Sequence, residues 1–325
     1  MPCYNAESTI GSAIASMQAQ SFEDWELIAW DDGSIDDTWN LLINYERCDK
    51  RIKPSHSVHF GIVRALQLAT SQAQGQYLVR MDADDYALPD RLATQLTFLK
   101  ENPEIALCGC RVRMTGSGIG TGRRRYASWL NSLSSHESIA QELFIECPIA
   151  HPAFAMRRTA FEAVGGYQDQ GWPEDYDLIM RFWKKGWRMA NVGEVLLEWR
   201  NTPDRLSMRD SRYSQEQFRR IKRHYLFQTY LKNNRTFFQW GAGEVGKKWL
   251  KEWQEPEIPV GVVDINPRKI GKRIHGIPVI SPVELPAPGQ CLTLVTVGAP
   301  NARLVIRDWF SQHGYTECQD YLFLA

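Results

Sequence analysis

GQYLVRMDADDYALPDRL, residues Gly75 to Leu92, runs an apolar strand (Gln76 to Met81) straight into Asp82, Ala83, Asp84 and Asp85. Pro89 then stands at a helix start, where its missing N–H costs nothing. Three carboxylates on one tight turn repel one another, so a fold rarely groups them unless a cation or donor cluster compensates. Oxygen-only ligands suit a hard divalent ion, Mg²⁺ or Mn²⁺, which takes one or two carboxylates and shares phosphate oxygens. A solvated acidic turn capping the Pro89 helix uses the same residues, and the triplet alone does not choose between the two.

Upstream, WELIAW (Trp25 to Trp30) reads as a strand ending in Asp31, Asp32, Gly33 and Ser34, with Asp36, Asp37 and Thr38 behind. A carboxylate there can accept the imide N–H of a base; an Asx turn with a helix N-cap has the same composition. Both acidic clusters close strands, at the edge where open α/β sheets bind ligands. Asn5 is expected to cap a helix presenting Ile10, Ile14 and Met17, and further helices are expected over Asp37 to Tyr45 and Ile62 to Ala73. The alternation predicts an α/β fold, a mixed, mostly parallel sheet with helices on both faces.

Downstream, TGSGIGTGRRR (Thr115 to Arg125) has no periodicity and reads as a mobile loop. A helix near Ser134 to Phe144 and a strand around Ala153 to Met156 lead to Glu174 and Asp175 at the head of another helix. A carboxylate beside a metal–diphosphate site can serve as general base; acidic residues also favour helix N-termini for dipole reasons. A last strand is expected near Val195 to Trp199, then a polar helix from Tyr213 to Leu231.

With 325 residues the chain accommodates two domains, expected over 1–232 and 233–325. In the second, FFQW (Phe237 to Trp240) precedes GAGEVG, and Asp264 closes the next strand. Gly241, Gly243 and Gly246 would admit a phosphate to the helix N-terminus and Asp264 would meet a ribose, so a small Rossmann-like α/β domain with a nucleotide site is expected. A degenerate scaffold reads equally well. Lys+Arg and Asp+Glu stand at 38 each, which gives no electrostatic case for nucleic acid. The seven cysteines form no CxxC pair and read as reduced core thiols. The chain shows neither a membrane-length apolar run nor a signal segment, so a cytoplasmic protein is expected. The basic run Arg219, Arg220, Lys222, Arg223 and His224 raises the alternative of peripheral contact at the inner membrane face.

Five motifs taken together resemble the family 2 glycosyltransferases of GT-A fold: PCYNAEST (Pro2 to Thr9), WELIAWDDGSIDDT, GQYLVRMDADDYALPDRL, HPAFAMRR (His151 to Arg158) and WPEDYDL (Trp172 to Leu178). They occur in that family's order over residues 2–200. The resemblance implies that Pro2, Tyr4, Asn5, Asp31 and Asp32 line the donor nucleotide pocket, with Asp32 on the base. It implies Asp82 at the ribose or diphosphate, Asp84 on Mn²⁺ or Mg²⁺, and His151 near the diphosphate. Asp175 would be the general base, giving inversion at the anomeric carbon of a nucleotide-sugar donor, UDP-linked in the first instance. The acceptor would be a glycan or lipid-linked glycan in bacterial surface polysaccharide or lipopolysaccharide assembly.

The Q/RxxRW motif and membrane spans of processive members are absent, so transfer of a single sugar is expected. Such proteins usually open with a Val/Ile-rich strand before Pro-x-Tyr-Asn, whereas this sequence begins at Met1-Pro2; a start further upstream is the expectation. The rival function is a catalytically silent nucleotide-sugar-binding protein. Asp175 argues against it, since a binder has no use for a base.

Overall fold

The computed structural model describes residues 1–202, 205–253, 257–299 and 301–325. They form two compact units: Met1–Ile139 with Pro148–Arg212, and Ala140–Cys147 with Tyr213–Ala325.

The chain order begins β1 (Pro2–Cys3), α1 (Ile10–Gln18), β2 (Leu27–Asp31), α2 (Thr38–Cys48), β3 (Ile52–His56), α3 (Ile62–Gln72), β4 (Tyr77–Val79), β5 (Tyr86–Ala87) and α4 (Arg91–Glu101). It continues with β6 (Ile105–Gly116), α5 (Thr121–Ser132), α6 (His136–Glu142), β7 (Ala155–Arg157), α7 (Arg158–Ala163), α8 (Glu174–Lys184), β8 (Arg188–Asn201) and α9 (Leu206–Arg209). Strands β1, β2 and β3 pair in parallel, in that order. The other five make a mixed sheet ordered β4-β7-β6-β8-β5, in which β6 and β8 run parallel and the remaining pairs antiparallel.

The core forms where the apolar periodicity predicts. Ile10, Ile14 and Met17 are buried on one face of α1 against Leu27, Ala29, Leu42 and Ile52. Burying side chains of this size is worth about 1.5–3 kcal/mol each. Asn5 does not cap this helix. Thr9 occupies the N-cap, and Asn5 takes φ 49° so that its Oδ1 accepts the Ile35 N–H at 3.0 Å.

Two further differences follow from pairing at long range. The segment 115–125 is not one loop: Thr115 and Gly116 complete β6 opposite Arg200 and Asn201, and Thr121 already begins α5. The last strand runs from Arg188 to Asn201, much longer than Val195 to Trp199, because β6 supplies a partner along nearly its whole length.

The second unit comprises α10 (Gln215–Gln228), β9 (Phe237–Trp240), α11 (Glu244–Glu252), β10 (Gly261–Val263), β11 (Arg273–Ile274), β12 (Ile277–Ile280), β13 (Leu292–Val295), α12 (Ala302–Gln312) and β14 (Tyr321–Phe323). Its sheet is ordered β11-β12-β10-β9-β13-β14, with every pair parallel except β11–β12, so the unit's first strand is central, as in doubly wound folds. The compact units divide before α10 rather than at Asn233. Helix α10 buries Ile221, Tyr225 and Leu226, and two of its arginines pair within the unit, Arg219 with Glu252 at 2.8 Å and Arg223 with Glu257 at 2.5 Å. Lys222 is buried and donates to Ile145 O and Leu324 O, so most of the basic run is engaged internally rather than presented to a membrane. Among the described residues no helix is long and apolar enough to cross a membrane.

Candidate active site

The acidic turn follows β4 directly. Arg80 is buried, with Nη2 2.5 Å from Asp82 Oδ1 and Nη1 on Met81 O, so it fixes the turn rather than facing solvent. Asp82, Asp84 and Asp85 each offer an oxygen, and these lie within 4.8 Å of one another. Two full charges at 4.8 Å repel by about 3 kcal/mol at an effective dielectric of about 20, so the triplet cannot stay fully ionised unaided. Burial, and then Asp82, push Asp84 up to about 6. Burial followed by Asp82 and Asp84 drives Asp85 well above the usual carboxylate range. Burial also opposes the charge on Asp82, but Arg80, His151 and Arg205 together outweigh it and hold this carboxyl low.

Asp85 is 2% exposed; its Oδ1 accepts the Arg200 N–H at 2.8 Å, and its Oδ2 is buried without a hydrogen-bond partner. Clustered carboxylates with one unpartnered oxygen are the donor set that a hard divalent cation takes. Arg205, stacked 4.7 Å from the centre of the Trp199 ring, attracts all three carboxylates but does not neutralise them.

A second group of polar residues is built where β1 and β2 end. Asn5 N–H donates to Ser34 Oγ at 2.9 Å, and Asp31 accepts from the Ser34 hydroxyl and its N–H. Gly33 takes φ 75°, and a side chain there would sit 2.5 Å from His59 N, so only glycine lets the two turns approach. Asp32 is buried: it accepts the N–H groups of Phe60 at 3.0 Å and Gly61 at 2.9 Å, and lies 2.8 Å from His59 Nδ1. Asp32 thus braces the turn before α3. What it presents is His59, stacked on Tyr4 with ring centres 4.1 Å apart and both rings about half exposed. Sequence reasoning missed His59. Gly61 at the start of α3 was the available signal, as a breaker following a strand.

A further polar cluster gathers on α8 and the short 3₁₀ turn His151–Ala153. His151 Nε2 lies 2.8 Å from the Tyr167 hydroxyl and Nδ1 3.7 Å from Glu174. Burial and then Arg80 hold the imidazole well below its ordinary range, so it is neutral at pH 7. Asp175 sits in the first turn of α8, where Oδ1 accepts the Tyr176 N–H at 2.7 Å. Asp177, also in that turn, bonds Trp172 Nε1 and Arg181 and so anchors the helix.

His151 joins the Tyr167 hydroxyl to Glu174 at the head of α8, and Arg91 ties the His151 turn to Arg80 O before the acidic turn. Burial chiefly raises the Tyr167 phenol, Arg80 acts against it, and Glu174, Asp175 and Asp82 add to it. Burial likewise raises Cys3 to about 12, and its thiol feels Asp31 together with Arg80 and Asp82. His151 and the head of α8 thus adjoin the strand end that carries Asp82, Asp84 and Asp85, while Asn5, Asp31 and Ser34 meet where β1 and β2 end, with Asp32 turned towards the α3 loop. Arg91 is 1% exposed and donates to Gln95 Oε1, Arg80 O and Pro152 O.

In the second unit Gly246 packs so tightly that a methyl would lie 1.9 Å from Gly241 O, while the face above Gly243 is open. Asp264, which the sequence motif aims at a ribose, accepts from Ala242 N, Asn266 N and Lys269 Nζ at 2.8–3.1 Å. The carboxylate ties the glycine turn to the end of β10.

The family model for glycosyl transferase family 2 matches residues 1–165. The chain belongs to that family. Among the relatives of this family 2 glycosyltransferase, EpsE of Bacillus subtilis (strain 168), named as a glycosyltransferase, is 31% identical over 219 residues, covering 66% of this chain and 76% of EpsE. Staphylococcus aureus TarS 1-349 in complex with UDP-GlcNAc is 16% identical with a TM-score of 0.56, over 71% of this chain and 66% of that one. The mannosyltransferase PcManGT from Pyrobaculum calidifontis, in complex with GDP-Man and Mn²⁺, is 18% identical with a TM-score of 0.50, over 63% of this chain and 56% of that one. The family 2 glycosyltransferase therefore has a GT-A-like mixed α/β fold.

Proposed function

We propose that this glycosyltransferase moves one sugar, with inversion, from a UDP-linked donor to the hydroxyl of a glycan or lipid-linked glycan acceptor, in assembly of a bacterial surface polysaccharide. The observation that carries this is the adjacency of the acidic turn and the head of α8: His151 Nδ1 lies 3.7 Å from Glu174, and Arg91 ties the His151 turn to the strand end before the acidic turn through Pro152 O at 2.6 Å and Arg80 O at 2.8 Å. A base and a diphosphate site must meet at one anomeric carbon, and this adjacency allows it.

In the proposed reaction the base stacks by the Tyr4–His59 pair, with Asp31 and Asn5 shaping the pocket edge. Asp84, with Asp82 and Asp85 beside it, would hold Mn²⁺ or Mg²⁺. Such an ion supplies neutralisation of diphosphate charge. Asp175 takes the proton of the acceptor hydroxyl; the freed oxygen attacks the anomeric carbon from the face opposite the diphosphate. The bond from that carbon to the diphosphate oxygen breaks, and the nucleoside diphosphate leaves with the electron pair. Neutral His151, held by Tyr167, places a polar N–H or lone pair beside Asp82 without adding charge.

Asp175→Asn tests the base. Transfer should fall by about 10²–10⁴ while donor binding, followed as the thermal shift given by UDP-GlcNAc with Mn²⁺, stays unchanged. Unaltered transfer removes Asp175 from this role, and absence of any donor-induced shift in the unsubstituted protein rejects the UDP assignment. For the second unit the proposal is a nucleotide-type binding module. Thermal shifts with NAD and UDP-sugars test it on the full chain carrying Asp84→Asn, and silence from both leaves a scaffold.

A further inference from the structure

We propose that the acceptor is an acidic glycan, bearing phosphate or carboxylate groups along its chain, and that it lies in a groove between α5 and the β6–β8 ladder. This rests on the transferase reading above. The groove measures about 660 Å³ and is open to solvent. Met114, Ala127 and Val195 line it with apolar surface, and its charged lining residues are Arg111 and Arg124, with no carboxylate. Sugar rings have apolar faces and polar edges, so an apolar lining with spaced guanidiniums suits rings that carry oxyanions.

The wall is pre-formed. The Asn131 side chain accepts the Val112 N–H at 2.8 Å and donates to Val112 O at 2.9 Å, while Arg111 Nε donates to Asn131 O at 3.0 Å. Helix α5 carries Arg123, Arg124 and Arg125 near its N-terminus and no acidic residue anywhere. Cations at that end oppose the helix dipole, whereas a bound anion would be favoured by dipole and guanidiniums together. Against a chain with equal numbers of acidic and basic residues, this is a local excess that folding alone does not call for.

The groove also leads to the reacting end. Met114 pairs in register with Trp199, whose ring lies beneath Arg205 at 4.7 Å and Arg123 at 5.6 Å. The next residue, Arg200, donates its N–H to Asp85. A chain lying along α5 would bring its terminal sugar past Trp199 to the acidic turn.

Fluorescence anisotropy on the full chain tests this with three labelled probes of equal length: oligogalacturonate, a phosphorylated mannan oligomer, and neutral maltodextrin. One or both acidic probes should bind, more weakly as salt rises, and at least 10-fold more weakly to Arg111→Glu/Arg124→Glu. Which of them binds identifies carboxylate or phosphate as the recognised group. The Arg111→Gln/Arg124→Gln variant should lie between. Arg64→Glu/Lys100→Glu, an equal charge change at exposed sites elsewhere, should bind like the unsubstituted protein. The proposal is overturned if neither acidic probe binds, if maltodextrin binds as well, or if the Arg64/Lys100 control loses as much. Arginine-dependent binding of phosphatidylglycerol vesicles alone overturns it in favour of a membrane face. A UDP-GlcNAc/Mn²⁺ thermal shift preserved in every variant keeps the two readings separate: its absence from the unsubstituted protein counts against the donor assignment, not the groove.

Discussion

Lys222 shows how far a single residue's role depends on what folds around it. In the sequence it belongs to a basic run; in the structure burial, with Arg219 also acting, lowers its ammonium from 10.5 to about 8 while Glu146 partly offsets the effect. The folded protein then binds fewer protons than the unfolded chain between about pH 8 and 10.5, so stability should rise with pH in that window. Comparing denaturant unfolding of the unsubstituted protein with Lys222→Met at pH 7.5 and 9.5 measures this: the difference should move in favour of the unsubstituted protein as pH rises, and a pH-independent difference would contradict it. The carboxylates of the acidic turn were legible in the sequence because mutual repulsion marks them wherever they occur. His59, Tyr167 and Arg205 were not, since nothing local distinguishes them and their importance comes from rings and charges distant in sequence.

At the level of elements, Arg91 links three pieces of the first unit. It stands at the first position of α4, yet its guanidinium reaches back to Arg80 O before the acidic turn and across to Pro152 O in the turn that carries His151. Arg91→Met leaves those buried carbonyls unpaired, and a loss of about 2–4 kcal/mol in urea unfolding is expected. Arg91→Lys should recover little of it, because an ammonium cannot reproduce the planar fork. A loss under 1 kcal/mol for Arg91→Met would place the stability of this junction elsewhere. Helices with a clear apolar stripe, such as α1, were legible, as was the strand that runs into Asp31 and Asp32. Helix α5 was hidden by the glycines before it and its own polar start, and the true length of β8 by dependence on β6, which lies far away in sequence.

Over the whole molecule, the second unit is completed by residues from the middle of the first. Within that unit Glu142 pairs with Arg303 at 2.9 Å and with Arg307, Lys222 donates to Ile145 O at 2.7 Å, and the Phe144 ring lies 5.9 Å from that of Tyr230. A chain ending at Arg212 would strand Leu143, Phe144 and Cys147, which are buried in the intact protein. It should bind more of a hydrophobic dye and melt at lower temperature than the full chain; equal dye binding would mean that these side chains find other cover. Neither domain count nor fold class in the sequence hints at this, because eight residues with no motif carry it. The arrangement bears on engineering and on descent alike. A chimaera that exchanges the C-terminal unit with that of another transferase must transplant Ala140–Cys147 as well, and a recombination event with one crossover near residue 213 would deliver a partner lacking its keystone.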